Sequence, residues 1–455
     1  MQVTRPLADF CAALSVDTLP HAVIARTRLL VVDLLGSIVR AGRDAPAAPA
    51  MHAAVQALGL AAGSARVFGE SKRFGPAGAA FLNAALGHAL DFDDTHAAGT
   101  LHPGAPVIPA AIAAGEMVDA SGADVLAGIV AGYEVCCRAA VALPAGAHYA
   151  RGFHPSATCG VFGAAAAAAR VFGLSGDRIE SALGIALSQS AGSLQFLTDG
   201  AWTKPFQVGW ASMAGLCAAT LAREGFRGTT QALEGRHGFL HAYAPSPIPA
   251  RVLTGLGEVY ELMATAVKPY PSCRYGHAGI DAVRALRSEY SLRPAEVERV
   301  TYGLSRAGLL LVGEPAEIKQ NPINLVGAQF SAPFVLSVAL ATGNMEWDSY
   351  RLLDDPVIRS LMPRIDSVHD PEIEAEFPAN MSGKVTLWAR GQVFAKKVVV
   401  PLGEPSNFLD DQALLAKFNG LAGPVLGDGA APLAAAALRL DSIAHIGELS
   451  QMASG

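Results

Sequence analysis

Helical periodicity combined with small residues constrains the fold of this chain most strongly. From residue 6 to about residue 245, apolar side chains recur at helical spacing, as in ARTRLLVVDLLGSIV at residues 25–39. The stretch GVFGAAAAAARVFG at residues 160–173 adds a nearly continuous alanine surface. Because alanine faces let helix axes approach closely, this part of the chain is predicted to form a large all-helical domain.

A different texture begins near the proline cluster PSPIPARVL at residues 245–253. Beyond it, residues 297–305 and 384–400 alternate in the manner of strands, and the second stretch is predicted to be a hairpin that turns at Arg390, Gly391 and Gln392. Helical spacing returns after residue 407. The predicted fold is therefore mainly α, with a helical domain over 1–263 that is joined by 406–455, and a smaller α+β domain over 264–405.

Composition excludes several classes of protein. Of the 455 residues, 51% are apolar and only 16% charged, so the chain is not intrinsically disordered. A formal charge of -6 gives no overall attraction for nucleic acid or for anionic lipid. Six cysteines without a CxxC pair, and an N-terminus that does not resemble a signal peptide, favour a reducing, cytoplasmic location.

The uncharged stretch 321–345 raises the question of a membrane span. Its first half contains Pro322 and Pro333 together with several polar residues, which leaves too short an apolar run to cross a bilayer. A buried helix is predicted there, and no membrane is expected as a partner. The aromatic residues Trp202, Trp210 and Tyr270 are also expected in the core.

The densest group of ionisable residues lies in LGHALDFDDTHAAGTLHPG, at residues 86–104. Such a density beside apolar helices favours a functional site, because unpaired buried charges are costly. A structural alternative is that Asp91, Asp93 and Thr95 cap helix ends. A metal site is the third alternative, but the spacing matches no familiar ligand motif, so no metal is expected.

Three further fragments add polar groups next to proline or glycine turns. RGFHPSATCGVFG contains His154, TKPFQ contains Lys204, and KPYPSCRYGH contains Lys268, Cys273 and His277. The chain has neither a GxGxxG nor a GxxxxGK[ST] motif for a nucleotide, and no GxSxG serine elbow. Histidines, lysines and acids without a cofactor indicate proton chemistry on an anionic substrate.

Taken in order, HALDFDDTH with the following HPG, FHPSATCGVFGAAAAAA, TKP and KPYPSCRYGH resemble the MmgE/PrpD family over nearly the whole chain. That family includes 2-methylcitrate dehydratases, cis-aconitate decarboxylases and an iminodisuccinate epimerase. The resemblance implies a helical domain built from both chain ends, an α+β lid, a homodimer, and a cofactor-free site in the cleft between the domains.

The resemblance also implies site residues by motif. In the helical domain these are catalytic residues, with His102 exchanging the proton next to a carboxylate, His154 donating a proton, Asp91 orienting a histidine and Thr95 supplying a hydrogen bond. Lys204 is expected to bind a substrate carboxylate.

Lys268 of the KPYP fragment is the second lysine expected to bind substrate. Cys273 and His277 are further expected substrate contacts. The sequence departs here from the decarboxylase branch. By resemblance, that branch has a histidine five residues after this lysine, and this chain has Cys273 there. The departure weakens a decarboxylase interpretation.

The sequence thus predicts a cofactor-independent lyase, most simply a hydro-lyase that dehydrates a small di- or tricarboxylic acid such as 2-methylcitrate. Decarboxylation of a cis-aconitate type of acid, or epimerisation of a related one, would use the same proton step. A non-catalytic helical protein that binds organic acids is the alternative from another class. The presence of both His102 and His154 favours an enzyme, because binding an anion needs only the lysines.

Overall fold

The computed structural model describes residues 1–453, apart from the side chains of residues 145 and 199. The chain forms two compact units. The first contains Met1–Val267 and the chain from Asp410 onward, and the second contains Lys268–Leu409. The predicted boundaries, at residues 263 and 405, lie four residues before the ends of these segments.

The N-terminal part of the first unit is built from helices and four two-residue strands. The helices are α1 (Thr4–Ala13), α2 (His21–Asp44), α3 (Ala48–Ala57), α4 (Pro76–Ala89), α5 (Gly104–Val118), α6 (Gly122–Val141), α7 (Ala145–Ala150), α8 (Pro155–Thr158), α9 (Gly160–Val171), α10 (Gly176–Leu187), α11 (Phe196–Asp199), α12 (Thr203–Arg223) and α13 (Phe239–Tyr243). The strands are β1 (Ala65–Arg66), β2 (Arg73–Phe74), β3 (Thr95–His96) and β4 (Thr265–Ala266), which pair as β1 with β2 and β3 with β4.

The second unit is an α+β fold around one four-stranded sheet. Its helices are α14 (His277–Tyr290), α15 (Arg306–Gly308), α16 (Ala316–Lys319), α17 (Leu325–Gln329), α18 (Ala332–Thr342), α19 (Pro356–Leu361) and α20 (Pro371–Glu376). Its strands are β5 (Val297–Leu304), β6 (Ile365–His369), β7 (Gly383–Ala389) and β8 (Gln392–Val398), in the order β6-β5-β7-β8.

The hairpin of the second unit matches its prediction from sequence. Strands β7 and β8 are antiparallel in register, with Ala389 opposite Gln392. Arg390 and Gly391 form the turn with φ angles of 57° and 67°, as a two-residue hairpin turn requires. Helix α18 lies within the uncharged segment 321–345 and is buried, as predicted. It packs on α14, which in turn packs on strands β7 and β8.

The chain then returns to the first unit. Three helices complete it: α21 (Asp411–Leu426), α22 (Ala430–Ala437) and α23 (Gly447–Met452). Helix α21 packs along α2. The predicted fold class, mainly α with a smaller α+β part, is confirmed.

Small residues bring the central helices of the first unit together. Helices α4, α5, α6, α9 and α12 pack on one another. At Gly132 of α6, a methyl group would lie 2.5 Å from Val107 Cγ1 on α5 and 2.8 Å from the Gly163 carbonyl oxygen on α9. The backbone of α6 is therefore so close to α5 and α9 at this point that no side chain fits between the helices.

One expectation about the core is wrong. Tyr270 is buried, but Trp202, directly before α12, and Trp210 of α12 are 56% and 41% exposed. Both lie with Phe206 along one side of α12, where they line an apolar groove with residues of α3 and α4. Aromatic residues at helical spacing therefore form an exposed apolar face here, a pattern that the sequence does not distinguish from a core face.

None of the helices in residues 1–453 combines the length and the apolar character that a membrane crossing requires.

Candidate functional site

A sharp turn after α4 brings the acidic segment back toward the end of that helix. Asp91 has a left-handed φ of 55°, which reverses the chain directly after the last turn of α4. Strand β3 follows, with Thr95 buried and paired to Ala266 of β4. The segment is thus held at both ends by the helical unit, and its carboxylates point into a largely buried environment.

Asp93 stands between two histidines. His88 Nδ1 donates a hydrogen bond to Asp93 Oδ2 at 2.7 Å, and His102 Nδ1 lies 3.3 Å from Asp93 Oδ1. The rings of His88 and His102 are in edge contact, with centroids 4.7 Å apart. One carboxylate therefore lies between two imidazoles, with a hydrogen bond to His88 and a longer contact to His102.

The pKa values of His88 and Asp93 are shifted by burial and by the contact between the two residues. Burial lowers the pKa of His88 to about 4, although the Asp93 carboxylate opposes that shift. Burial alone would raise the pKa of Asp93, but the adjacent imidazoles outweigh it and hold that pKa well below its usual value. At neutral pH Asp93 is therefore ionised and His88 is neutral, with its proton on Nδ1.

Asp94 has a structural task instead. Its Oδ1 accepts from the backbone N–H of Gly104, the first residue of α5, at 3.0 Å, and its Oδ2 accepts from the Tyr133 hydroxyl at 2.7 Å. Burial and the charge of Asp93 raise the pKa of Asp94 to about 8. The capping alternative thus applies to Asp94, which it had not named. His96 also points elsewhere, toward Glu261 at 3.0 Å.

His154 lies on the other side of His88. The two rings stack with centroids 5.8 Å apart, and His154 Nδ1 lies 3.2 Å from Oε1 of Gln207. His154 is almost fully buried. Burial lowers the pKa of His154 well below the usual value, and the positive charge of Lys204 adds to that shift. His102, His88 and His154 therefore form one continuous group of imidazoles.

Lys204 provides the positive charge of the group. Its ammonium donates to Asp91 Oδ1 in a short ion pair. Burial would lower the pKa of Lys204, but the carboxylates of Asp91 and Asp93 outweigh it and raise that pKa. Lys204 is therefore charged, and its charge acts on His88 and His154, an arrangement suited to a substrate that carries carboxylates.

A second lysine, Lys417, binds the backbone of the acidic segment. Lys417 of α21 donates to Asp33 Oδ1 of α2 at 2.6 Å and to the Phe92 carbonyl at 2.8 Å. Its ammonium also lies 3.8 Å from the centroid of the Phe92 ring. The Lys417–Asp33 pair is almost completely buried. The C-terminal part of the first unit thus fixes the backbone between Asp91 and Asp93.

The second unit holds the remaining residues expected from sequence. Lys268 and His277 are buried, and Cys273 is nearly so. The Cys273 backbone N–H donates to the Gln329 carbonyl at 3.0 Å. His277 Nε2 donates to the Ser272 carbonyl at 3.2 Å, and its ring contacts Tyr270 edge-on. These bonds fix the segment between Tyr270 and α14.

The histidine and carboxylate group also has the composition of a metal site. One donor atom from each of His88, Asp93 and His102 lies within 4.8 Å of the others, and zinc or iron accepts such donors. In the structure, however, both Nδ1 atoms face the same carboxylate at 2.7 and 3.3 Å. This geometry is that of a carboxylate orienting two imidazoles.

The structure brings Asp91 together with Lys204, and His102 and His154 together around His88. Sequence reasoning had placed His88 and Asp93 in the cluster without giving them a part in the chemistry, and it had not singled out Gln207. Gln207 lies three residues after Lys204, on the same face of α12, and this spacing is the signal that could have found it.

Models of two protein domains match this chain. The MmgE/PrpD N-terminal domain matches residues 5–251, and the MmgE/PrpD C-terminal domain matches residues 270–441.

Curated relatives match along most of their length. The cis-aconitate decarboxylase-like protein oryM of Aspergillus oryzae is 28% identical over all of this chain and 97% of its own length. The cis-aconitate decarboxylase of Aspergillus terreus is 27% identical over 93% of this chain and 90% of its own. The human cis-aconitate decarboxylase is 27% identical over 81% of this chain and 77% of its own. With both domains matched in order over nearly its whole length, the chain belongs to the MmgE/PrpD family.

Proposed function

We propose that this protein is a cofactor-independent lyase that acts on a small di- or tricarboxylic acid by moving a proton at the carbon next to a carboxylate. The observation that carries the proposal is the group of three imidazoles around His88, of which His88 and His154 are buried, together with Asp93 and the charged Lys204. An imidazole can take up a proton, and a positioned ammonium stabilises negative charge that develops on the substrate.

We propose the following roles, which the geometry of the helical unit supports. Lys204 binds a substrate carboxylate, and Asp91 keeps that lysine charged. His102 exchanges the proton at the reacting carbon, while Asp93 holds its ring in orientation. Thr95 lies buried in β3, between the acidic residues and His102, and its hydroxyl provides a hydrogen bond. Lys268, with Cys273 and His277, supplies the substrate contacts of the second unit.

Two outcomes of the proton step are supported by different observations. The names of the curated relatives favour decarboxylation of an acid such as cis-aconitate. By resemblance, the decarboxylase branch has a histidine at the position where this chain has Cys273. That difference favours dehydration of an acid such as 2-methylcitrate. Decarboxylation of cis-aconitate is the first reaction to test and dehydration the second.

The substrate test uses the purified full chain with cis-aconitate, citrate and 2-methylcitrate. Mass spectrometry detects loss of CO₂ or of water, and chiral separation detects epimers. A parallel sample is treated with a chelator, because we expect the reaction to need no metal ion. Turnover that survives chelation is the expected result.

Other outcomes contradict the proposal in distinct ways. Tight binding of an acid without any product would support the non-catalytic binding protein. Activity that disappears on chelation and returns with one metal would make the histidine group a metal centre. As a control variant, His21→Gln changes an exposed histidine and should react as the unmodified protein does.

A further inference from the structure

Gln207 has a side chain whose orientation is fixed by the backbone. Its Oε1 accepts from the Ser193 N–H at 3.0 Å, and its Nε2 donates to the Ser193 carbonyl at 2.9 Å. If the amide were rotated by half a turn, its NH₂ group would face the Ser193 N–H and its oxygen would face the Ser193 carbonyl oxygen. Neither hydrogen bond could then form. The oxygen is therefore the atom that faces His154.

This orientation determines where His154 carries its proton. The 3.2 Å contact joins His154 Nδ1 to an oxygen that can only accept, so the neutral ring must carry its hydrogen on Nδ1. Nε2 then has the lone pair. In the described residues no hydrogen bond is made to His154 Nε2, and the ring is enclosed by His88 and Phe196.

The loop that carries the amide partner is tied to the loop that carries His154. The His154 N–H donates to the Gly192 carbonyl at 3.2 Å, and the Leu194 N–H donates to the Gly152 carbonyl at 2.8 Å. A methyl group at Gly192 would lie 3.2 Å from Gln207 Oε1. The His154 ring, the Gln207 amide and the loop therefore pack closely together. This packing keeps the amide oxygen against His154 Nδ1, and the other tautomer would have no hydrogen there to donate.

We infer that Gln207 is a positioning residue that holds His154 as the Nδ1–H tautomer, so that His154 presents its unprotonated Nε2 as the proton acceptor of the reaction. The inference rests on the proposed function and changes two of the roles given there and in the sequence analysis: His154, which was expected to donate a proton, takes the proton from the carbon next to the carboxylate in place of His102. The C–H bond next to the carboxylate breaks, the proton forms a bond to Nε2, and the electron pair stays on the substrate as an enolate. A proton donated to the substrate comes from a different group, for which His102 is placed.

The tautomer can be measured without any substrate. The protein is labelled with ¹⁵N-histidine, and the signals of His154 are assigned from the spectrum of His154→Asn. Two-bond correlations to the ring hydrogens then show which nitrogen carries the proton. We expect Nδ1–H in the unmodified protein. A ring protonated on Nε2 would overturn the inference, whatever the protein does with organic acids.

Variants connect the tautomer to the reaction. Gln207→Met removes the acceptor and should give a mixture of tautomers, with kcat lower by roughly 10- to 100-fold and KM nearly unchanged, since the substrate charges are bound elsewhere. Gln195→Met alters an exposed glutamine close by and is the matched control. Gln207→Glu keeps an acceptor for Nδ1–H but adds a charge, so it should retain the tautomer and move the pH profile of kcat upward.

Failure of this inference differs from failure of the proposed function. If acids are converted but Gln207→Met leaves the tautomer of His154 unchanged, only the inference is wrong. If the tautomer is as expected but no acid is converted, only the function is wrong. Should Gln207→Met not fold, the unmodified protein and Gln207→Glu still decide the question.

Discussion

At the scale of single residues, the site is organised by acceptors that each fix one face of an imidazole. Asp93 accepts from His88 and approaches His102, and Gln207 accepts from His154. Each of the three rings therefore has its Nδ1 side occupied by protein. The Nε2 atoms are the ones left for chemistry, which gives a site with several possible proton carriers a defined direction.

A substitution at His102 tests its assignment as a proton carrier. His102→Gln keeps a polar side chain of similar length but cannot exchange a proton, so we expect kcat to fall by roughly 10² to 10⁴ while substrate affinity changes little. Steady-state kinetics measure the effect, and thermal melts exclude unfolding. Near-normal kcat in folded protein would remove His102 from the mechanism. His21→Gln, on an exposed histidine, is the control.

The buried state of His88 predicts a pH dependence of stability. Its pKa is about 4 in the folded protein, against about 6.5 in an unfolded chain, because burial disfavours the charged ring. Between these values the unfolded state binds more protons. The contribution of His88 is therefore complete above pH 6.5 and is lost as pH falls toward 4, at up to about 1.4 kcal/mol per pH unit.

Chemical denaturation from pH 7.5 to pH 4.5 measures this loss as a decrease in the free energy of unfolding. His88→Asn can still donate to Asp93 but cannot titrate, so its stability should fall less steeply with decreasing pH. Parallel curves for the two proteins would show that His88 is not held neutral by the fold.

At the scale of helices, the close contact of α5, α6 and α9 should tolerate no added volume. Gly132→Ala would normally stabilise a helix, but its methyl group would meet atoms at 2.5 to 2.9 Å. We expect a loss of about 1 to 3 kcal/mol in the free energy of unfolding. Gly420→Ala on α21, with no atom within 4 Å of the new methyl group, should be stabilising by up to about 1 kcal/mol. Equal effects at both positions would contradict the close contact.

The attachment of α21 to α2 gives a second test at this scale. Lys417→Met leaves the buried Asp33 carboxylate without its cation, and we expect the protein to lose about 3 to 5 kcal/mol of stability. Adding Asp33→Asn should recover part of that loss, because the unpaired charge is gone. The exposed pair of Lys384 and Glu372 is the control, where Lys384→Met should cost about 1 kcal/mol or less. Additive effects of the two buried substitutions would contradict the pairing.

The elements that could be predicted from sequence are those specified by nearby residues. The helical spacing of the first unit and the turn at Arg390 and Gly391 are local signals, and both predictions are confirmed. Strand β6 was missed, because IDSVH is short and gains its order from pairing parallel to β5, about 60 residues earlier in the chain.

The same distinction applies to the site. Motifs identified His102, His154 and Lys204, but the role of Asp93 depends on the reversal at Asp91, which the sequence does not reveal. The role of Gln207 depends on three segments meeting at Ser193.

At the scale of the whole molecule, the exposed apolar face of α12 supports the homodimer that the family resemblance implies. Trp202, Phe206 and Trp210 are each more than 40% exposed and adjoin the groove formed with α3 and α4. A monomer would leave this surface in water at an unfavourable free energy.

Light scattering at micromolar concentration should therefore give the mass of two chains. Phe206→Glu should shift the mass toward one chain, whereas Phe226→Glu, which alters an exposed phenylalanine beyond the end of α12, should not. A single-chain mass for the unmodified protein contradicts the dimer.

The Lys417 contact has a consequence for the order in which the protein can assemble during translation. The acidic segment emerges from the ribosome within the first hundred residues, yet the lysine that holds its backbone is made more than three hundred residues later, after the entire second unit. Until then Asp33 has no cation, and its charge disfavours burial next to Asp93. We therefore expect the first unit to close around its carboxylates only when synthesis has passed α21.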